Sequence, residues 1–166
     1  AEPRVALLDI GTVVEEVLDL ARGELQQYSV AVLTELEADL PLVLGDRIQL
    51  QQVLLNLIMN AIQAMSDVHD RPRDLVIRCK AQDGVLIAVE DSGAGLDPAA
   101  GDRIFESTFT TKSDGMGMGL LISRSIIAAH GGWIWASPGA PFGAIFQVAL
   151  PERSTAPGSE RDEHPG

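Results

Sequence analysis

The chain has 166 residues, 46% of them hydrophobic, and 24 acidic side chains against 12 basic ones, for a formal net charge of −12. That length and apolar content suit one domain with a core of its own. The acidic balance argues against sequence-independent binding to nucleic acid, where Lys and Arg must neutralise phosphates, and against docking on an anionic membrane.

Cys79 is the lone cysteine, so no disulfide forms within the chain and the residue is expected to be a small buried hydrophobe. No apolar run reaches the roughly 18 residues of a membrane span, and no signal peptide is visible. The chain starts without Met, which suggests a piece of a longer protein.

Val5 to Asp9 is a short apolar run. Thr12, followed by Glu15 and Glu16, predicts a helix start with Thr12 as the cap. Val13, Val14, Val17, Leu18, Ala21 and Leu25 carry that helix to about Gln27. Val30 to Leu36 alternates and predicts a strand whose facing is ambiguous. Pro41 to Leu44 is a brief extended segment, and Gly45 with Asp46, a plausible cap, introduces the next helix.

Leu44 to Met65 reads as the central helix. Leu50, Val53, Leu54, Leu57, Ile58, Ala61, Ile62 and Met65 cover most of its circumference. One stripe stays polar: Gln49, Gln52, Asn56, Asn60 and Gln63, at spacings that put all five on one face. A solvated face normally carries Lys, Glu and Arg, whereas this one holds only amides. It suits a partly dry site. Asn56 and Asn60 lie one turn apart and can both offer carbonyl oxygens to a hard cation such as Mg²⁺. A buried helix whose amides bond to neighbouring backbone explains the stripe about equally well.

Ser66 to Arg73 is polar with Pro72 and predicts a loop. Asp74 to Lys80 and Val85 to Glu90 are strands around Gln82-Asp83-Gly84, a hairpin signal because Asp-Gly tolerates positive φ. The second strand runs into Asp91-Ser92-Gly93-Ala94-Gly95. From Leu96 to Gly117 the periodicity dissolves, with Ile104-Phe105 as a small apolar anchor. Long stretches of that kind are lids, binding loops or disordered segments. Leu120 to Ala128 predicts a helix that ends at His130-Gly131-Gly132, with Gly131 as the stop. Trp133 to Ala136 and Phe142 to Leu150 form a final strand pair. Residues 152–166 read as a disordered tail, leaving 1–151 as the domain. The order of elements predicts an α/β (α+β) two-layer sandwich, with a mixed, mainly antiparallel sheet packed against three helices.

Two motifs carry chemistry. In Asp91-x-Gly-x-Gly an acid ends a buried strand and two glycines open the backbone to a ligand. The carboxylate can accept a hydrogen bond from the exocyclic amine of adenine; alone, the motif is more often an ordinary turn. Gly115-Met116-Gly117-Met118-Gly119 comes just before the helix. Its N–H groups can point at phosphate oxygens, helped by the helix dipole, or it can be a plain hinge. Lys112 is a cation within reach of such phosphates, or a solvated lysine. Thr110 and Thr111 offer hydroxyls, or only shape the turn.

The order of these motifs is more specific than any one of them. The chain resembles the ATP-binding catalytic domain of two-component sensor histidine kinases, in the superfamily that includes gyrase, Hsp90 and MutL. The resemblance covers roughly Val5 to Pro151. QVLLNLIMNA resembles the N box, DSGAG the first glycine box, IFESTFTTK the F box, and GMGMGLLISRSIIAAHGG the second glycine box.

The resemblance implies ATP and Mg²⁺ as ligands. Asn60 would be the main Mg²⁺ ligand, with Asn56 assisting or contacting phosphate. Asp91 would hold the adenine amine, and Gly93 and Gly95 would shape that pocket. Thr111, Lys112, Gly115 and the amides of Gly117, Met118, Gly119 and Leu120 would hold phosphates. Residues 98–116 would be a mobile ATP lid, with Phe105 or Phe109 anchoring it or packing on the partner domain. Asn56, Asn60 and Lys112 are thereby the expected catalytic residues.

In ATPase members of the superfamily a Glu stands one turn before the metal Asn. Here that place is held by Asn56, which fits phosphoryl transfer to a protein histidine more than hydrolysis. The chain departs from the pattern at Ser107-Thr108, where the family often has Pro-Phe, and at Gln63, where many relatives carry Lys or another polar residue. His69, His130 and His164 lack the acceptor context, and His130 reads as structural. The expected partners are the kinase's own dimerisation and phosphoacceptor helices and, through the full-length kinase, a response regulator. The domain itself would be monomeric and cytoplasmic, whether or not the full-length protein is membrane-anchored. A degenerate interaction module, an ATP-hydrolysing chaperone or repair module, and an anti-sigma-type serine kinase of the same superfamily are the alternatives.

Overall fold

The computed structural model describes residues 4–97, 101–105 and 116–152, with backbone alone at 101, 102 and 116–118. Helix α1 spans Ile10–Gln27. Its cap is Asp9, whose carboxylate accepts from the Gly11 N–H at 3.0 Å. Thr12, the expected cap, instead sits in the first turn and donates its hydroxyl to Asp9 at 3.2 Å. The helix starts earlier than the Thr signal because Ile10 is fully buried, and extending the helix back to it adds that side chain to the core.

Helix α2, Arg47–Met65, is capped by Asp46 as expected, through the Gln49 N–H at 3.1 Å. It starts at Arg47, directly after that cap. Residues Val43–Asp46 form a strand, β3, that pairs antiparallel with β1, Val5–Leu8, in the register Leu8↔Val43 to Val5↔Asp46. Helix α3, Met116–Ala129, stops at Gly131. Gly131 has φ of 75°, and the Gly131 and Gly132 N–H groups bond to the Ala128 and Ile127 carbonyls, both at 3.0 Å. That is the left-handed helix end for which glycine is favoured.

The main sheet contains β2 (Ala31–Leu36), β4 (Asp74–Ala81), β5 (Gly84–Glu90), β6 (Trp133–Pro138) and β7 (Ala144–Pro151), in the order β2-β4-β5-β7-β6. The pair β2–β4 is parallel and the other three are antiparallel. The β4–β5 turn places Asp83 at φ 50° and Gly84 at φ 127°, the positive values the Asp-Gly pair tolerates.

Period-2 alternation sends Leu75, Ile77 and Cys79 of β4, Val85, Ile87 and Val89 of β5, and Phe146, Val148 and Leu150 of β7 into the core. The helices cover that face, α2 between α1 and α3. All eight apolar residues expected on α2 are buried. The seven larger than Ala61 each contribute about 1.5–3 kcal/mol relative to exposure, so this helix is the centre of the packing. The Cys79 thiol is pushed up to about 12, chiefly by burial, and is inert as a nucleophile. The two-layer sandwich with three helices and a mixed, mainly antiparallel sheet is the architecture the sequence predicts.

Of the expected lid, 98–100 and 106–115 lie outside the described residues. Between them Gly101–Phe105 forms a 3₁₀ turn. Ile104 and Phe105 are buried, and the Phe105 ring meets Phe146 edge-on at 6.3 Å between centroids. The expected tail from 153 onward also lies outside the described residues. Among the described residues no helix is long and apolar enough to cross a membrane.

Candidate functional site

Of the five amides in the polar stripe of α2, Gln49, Asn56, Asn60 and Gln63 are half-buried and Gln52 is exposed. Asn56 shows what the stripe faces. Its amide Nδ2 donates to the Gly119 carbonyl at 3.4 Å and lies 3.3 Å from the Ser123 hydroxyl. Ser123 is completely buried. The amide helix therefore meets the first turn of α3. A Cβ on Gly119 would stand 3.5 Å from the same Nδ2, at ordinary van der Waals contact.

The glycine run was expected to precede the helix. In the structure α3 begins at Met116, so Gly117, Met118 and Gly119 are its first turn, and Leu120 is buried in the next residue position. The N–H groups of a first helical turn have no partner within the helix. The run can still meet an anion through backbone donors, but as a helix end and not as a loose loop.

Asp91 follows the last residue of β5 and is 4% exposed. Its Oδ1 accepts from the Gly93 N–H at 2.8 Å and from the Ala144 N–H at 3.4 Å. Burial pushes its ionisation above the ordinary aspartate range, the two backbone donors pull it back, and Glu90 adds to the rise. Gly93 rests on the last turn of α2: a Cβ there would come within 2.6 Å of the Ala64 carbonyl oxygen. The Ala94 N–H donates to that carbonyl at 3.3 Å. Gly95 has φ of 88°, a conformation that favours glycine.

One helix thus carries both ends of the site. Ala64 supports the Asp91 turn, and Asn56, eight residues earlier, touches the glycine-run turn. At 1.5 Å of rise per residue the two contacts lie about 12 Å apart along α2, a span that suits an extended nucleotide. Asn60 stands between them.

Thr111, Lys112 and Gly115 lie outside the described residues, as do Thr110 and Phe109. Several residues of this region escaped the sequence reading. Ser123 sits in an apolar helix, where one hydroxyl carries no pattern. Arg71 lies in a polar loop, yet it donates to the Ser92 carbonyl at 2.8 Å and the Gly93 carbonyl at 2.7 Å. Gly143, at φ 82°, packs on Asp91 so closely that a Cβ would meet the Asp91 carbonyl oxygen at 1.9 Å. His130 is structural, as expected. Its Nε2 accepts from the Asp46 N–H at 3.1 Å while Nδ1 faces the Ile126 carbonyl at 2.7 Å, which sets the Nδ1–H tautomer.

The chain is similar to known proteins in sequence and in fold. The chain is 40% identical over 151 residues to the sensor protein FixL of Bradyrhizobium diazoefficiens, covering 91% of this chain and 30% of that protein. It therefore spans under a third of the length of that relative. The catalytic domain of the histidine kinase ThkA superposes with a TM-score of 0.80 at 28% identity, covering 90% of this chain and 96% of that domain. Full-length ShkA in complex with AMPPNP superposes with a TM-score of 0.79 at 29% identity, over 94% of this chain and 33% of ShkA. Residues 45–154 match the family described as histidine kinase-, DNA gyrase B- and HSP90-like ATPase. They contain the amide helix, the Asp91 turn and the α3 start, and the chain belongs to that family.

Proposed function

We propose that this chain is the catalytic domain of a sensor histidine kinase, which binds ATP with Mg²⁺ and presents the γ-phosphate to a histidine on a separate dimerisation and phosphoacceptor domain. The observation that carries the reading is the span on α2, where a buried carboxylate turn at Ala64 and an open helix start at Asn56 lie one nucleotide length apart. Asp91 accepts the adenine amine, Gly93 and Gly95 leave room for the ring, and the amides of Gly117, Met118, Gly119 and Leu120 receive phosphate oxygens. Thr111, Lys112 and Gly115 add donors and charge on the phosphate side. FixL is a sensor protein and ShkA carries an ATP analogue, which supports the same assignment.

The residues present fit Mg²⁺ as a nucleotide-borne ion. Among the described residues no group of three or more His, Cys, Asp or Glu side chains could hold a metal. Asn56 uses its Nδ2 toward α3, leaving Oδ1 for a cation, and Asn60 offers a second carbonyl one turn on. Two neutral oxygens hold a divalent ion only together with phosphate oxygens and water, the manner in which Mg²⁺ binds at nucleotide sites. When bound, the ion neutralises charge on the phosphates. The protein's part is to fix the nucleotide and exclude water around it.

Asn56 also favours transfer over hydrolysis. Its amide is a hydrogen-bond donor to α3, a role no carboxylate fills, and it cannot take a proton from water. An imidazole acceptor needs no such base. Its nitrogen bonds to phosphorus as the bond to the bridging oxygen breaks and ADP departs. The phosphohistidine would then pass its phosphoryl group to a response regulator, in the cytoplasm.

Calorimetry of ATP binding with and without Mg²⁺ tests the reading. Binding that tightens with Mg²⁺, and loses that increment in Asn60→Ala, is the expected result. Absence of binding at millimolar nucleotide would overturn it in favour of an interaction module.

A further inference from the structure

Arg71 leaves the loop between α2 and β4 to reach the Asp91 turn. Its side chain is only 18% exposed. Nε donates to the Ser92 carbonyl at 2.8 Å and Nη2 to the Gly93 carbonyl at 2.7 Å. The guanidinium carbon stands 4.0 Å over the Phe142 ring. Its salt-bridge partner, Asp70 at 3.1 Å, is largely exposed. Solvent weakens that pair, so the strong contacts are those to the turn.

In a trans peptide the C=O and the N–H of one plane point in opposite directions. Drawing the Ser92 carbonyl toward Arg71 turns the Gly93 N–H inward, where it meets Asp91 Oδ1 at 2.8 Å. Drawing the Gly93 carbonyl the same way turns the Ala94 N–H inward, where it meets the Ala64 carbonyl at 3.3 Å. The stack on Phe142 fixes the segment that supplies the other donor to Oδ1, the Ala144 N–H at 3.4 Å. Gly143, between them, packs on the Asp91 backbone. Arg71 thus bears on both backbone donors of Oδ1, and Oδ2 is left to accept from a ligand.

We infer that Arg71 is the positioning residue of the adenine pocket: it orients the two peptide planes after Asp91, and through them the carboxylate that recognises the base. This rests on the nucleotide reading above. Lysine is a poor replacement, because its single tetrahedral nitrogen lacks the planar fork that reaches both carbonyls while the guanidinium lies flat on the ring.

The test compares the unaltered chain with Arg71→Ala and Arg71→Lys. Both variants should bind ADP at least about tenfold more weakly, the effect of losing a charge-assisted hydrogen bond. The ratio of affinities with and without Mg²⁺ should stay unchanged, since the phosphate side is untouched. In nucleotide-free protein the Gly93 amide proton should move upfield as its bond to Asp91 lengthens. Its pH titration, which reports Asp91, should shift to higher pH because a donor that favours the carboxylate is weakened. Wild-type ADP affinity in both variants, or an unmoved Gly93 titration, would overturn the inference. If the unaltered chain binds no nucleotide, the functional reading fails, and the Gly93 signal still decides the role of Arg71.

Discussion

Asp91 is 4% exposed while holding a carboxylate, and burial is the largest cause of its raised ionisation. A buried acid binds its proton more tightly in the folded chain than in the unfolded one. Asp91 therefore contributes most to stability at low pH, and that contribution is lost as pH rises through its folded value. The proposed recognition of the base needs the opposite state, since only the carboxylate accepts an amine without a competing proton. Two measurements follow. Nucleotide affinity should fall on acidification at a higher pH than an ordinary aspartate would give, read by calorimetry across a pH series. Asp91→Asn should abolish nucleotide binding and yet melt no lower than the unaltered chain at neutral pH. A large loss of melting temperature would show that Asp91 is needed for the fold and not only for the ligand.

Among the elements, α2 is held at its first residue by a cap with three bonds. Asp46 Oδ1 accepts from the Gln49 N–H, Oδ2 from the Arg4 N–H, and the Asp46 N–H donates to His130 Nε2, each at 3.1 Å. The cap thereby joins β1, β3, α2 and the end of α3. Asp46→Ala should lower stability by about 0.5–2 kcal/mol, seen as a lower denaturant midpoint at unchanged slope. This cap was legible from Asp46 preceding the apolar run, and so was the α3 stop at Gly131. The buried face of α2 was legible because eight apolar positions recur at helical spacing over nineteen residues. The β1–β3 ribbon was not. Four-residue strands carry almost no period, and the pairing of Leu8 with Val43 is decided by tertiary contact.

For the molecule as a whole, 24 acidic and 12 basic side chains give self-repulsion that opposes association. The chain is expected to sediment as a monomer at moderate salt; a tight dimer would contradict this. The site was legible to the extent that it is built from ordered motifs: the amide stripe, the Asp91 turn and the glycine run each have a spacing. What stayed hidden are the contacts between distant segments. Arg71 and Ser92 are 21 residues apart, and Asn56 and Ser123 are 67 apart, so no local pattern announces either pair.

Strands β5 and β7 lie side by side, and the chain between them, which supplies α3 and the edge strand β6, leaves β5 at Asp91 and enters β7 after Gly143 at one neck. The Asp91 N–H closes that neck on the Ala144 carbonyl at 3.0 Å. The entropy of closing a flexible loop grows only with the logarithm of its length, about 0.6 kcal/mol for each doubling. Connections between the elements of that stretch can therefore change length with little burden on folding, whereas α3 and β6 are bound by the core and the sheet. The neck itself has no such freedom, because the residue that fastens it is the same one proposed to read the base.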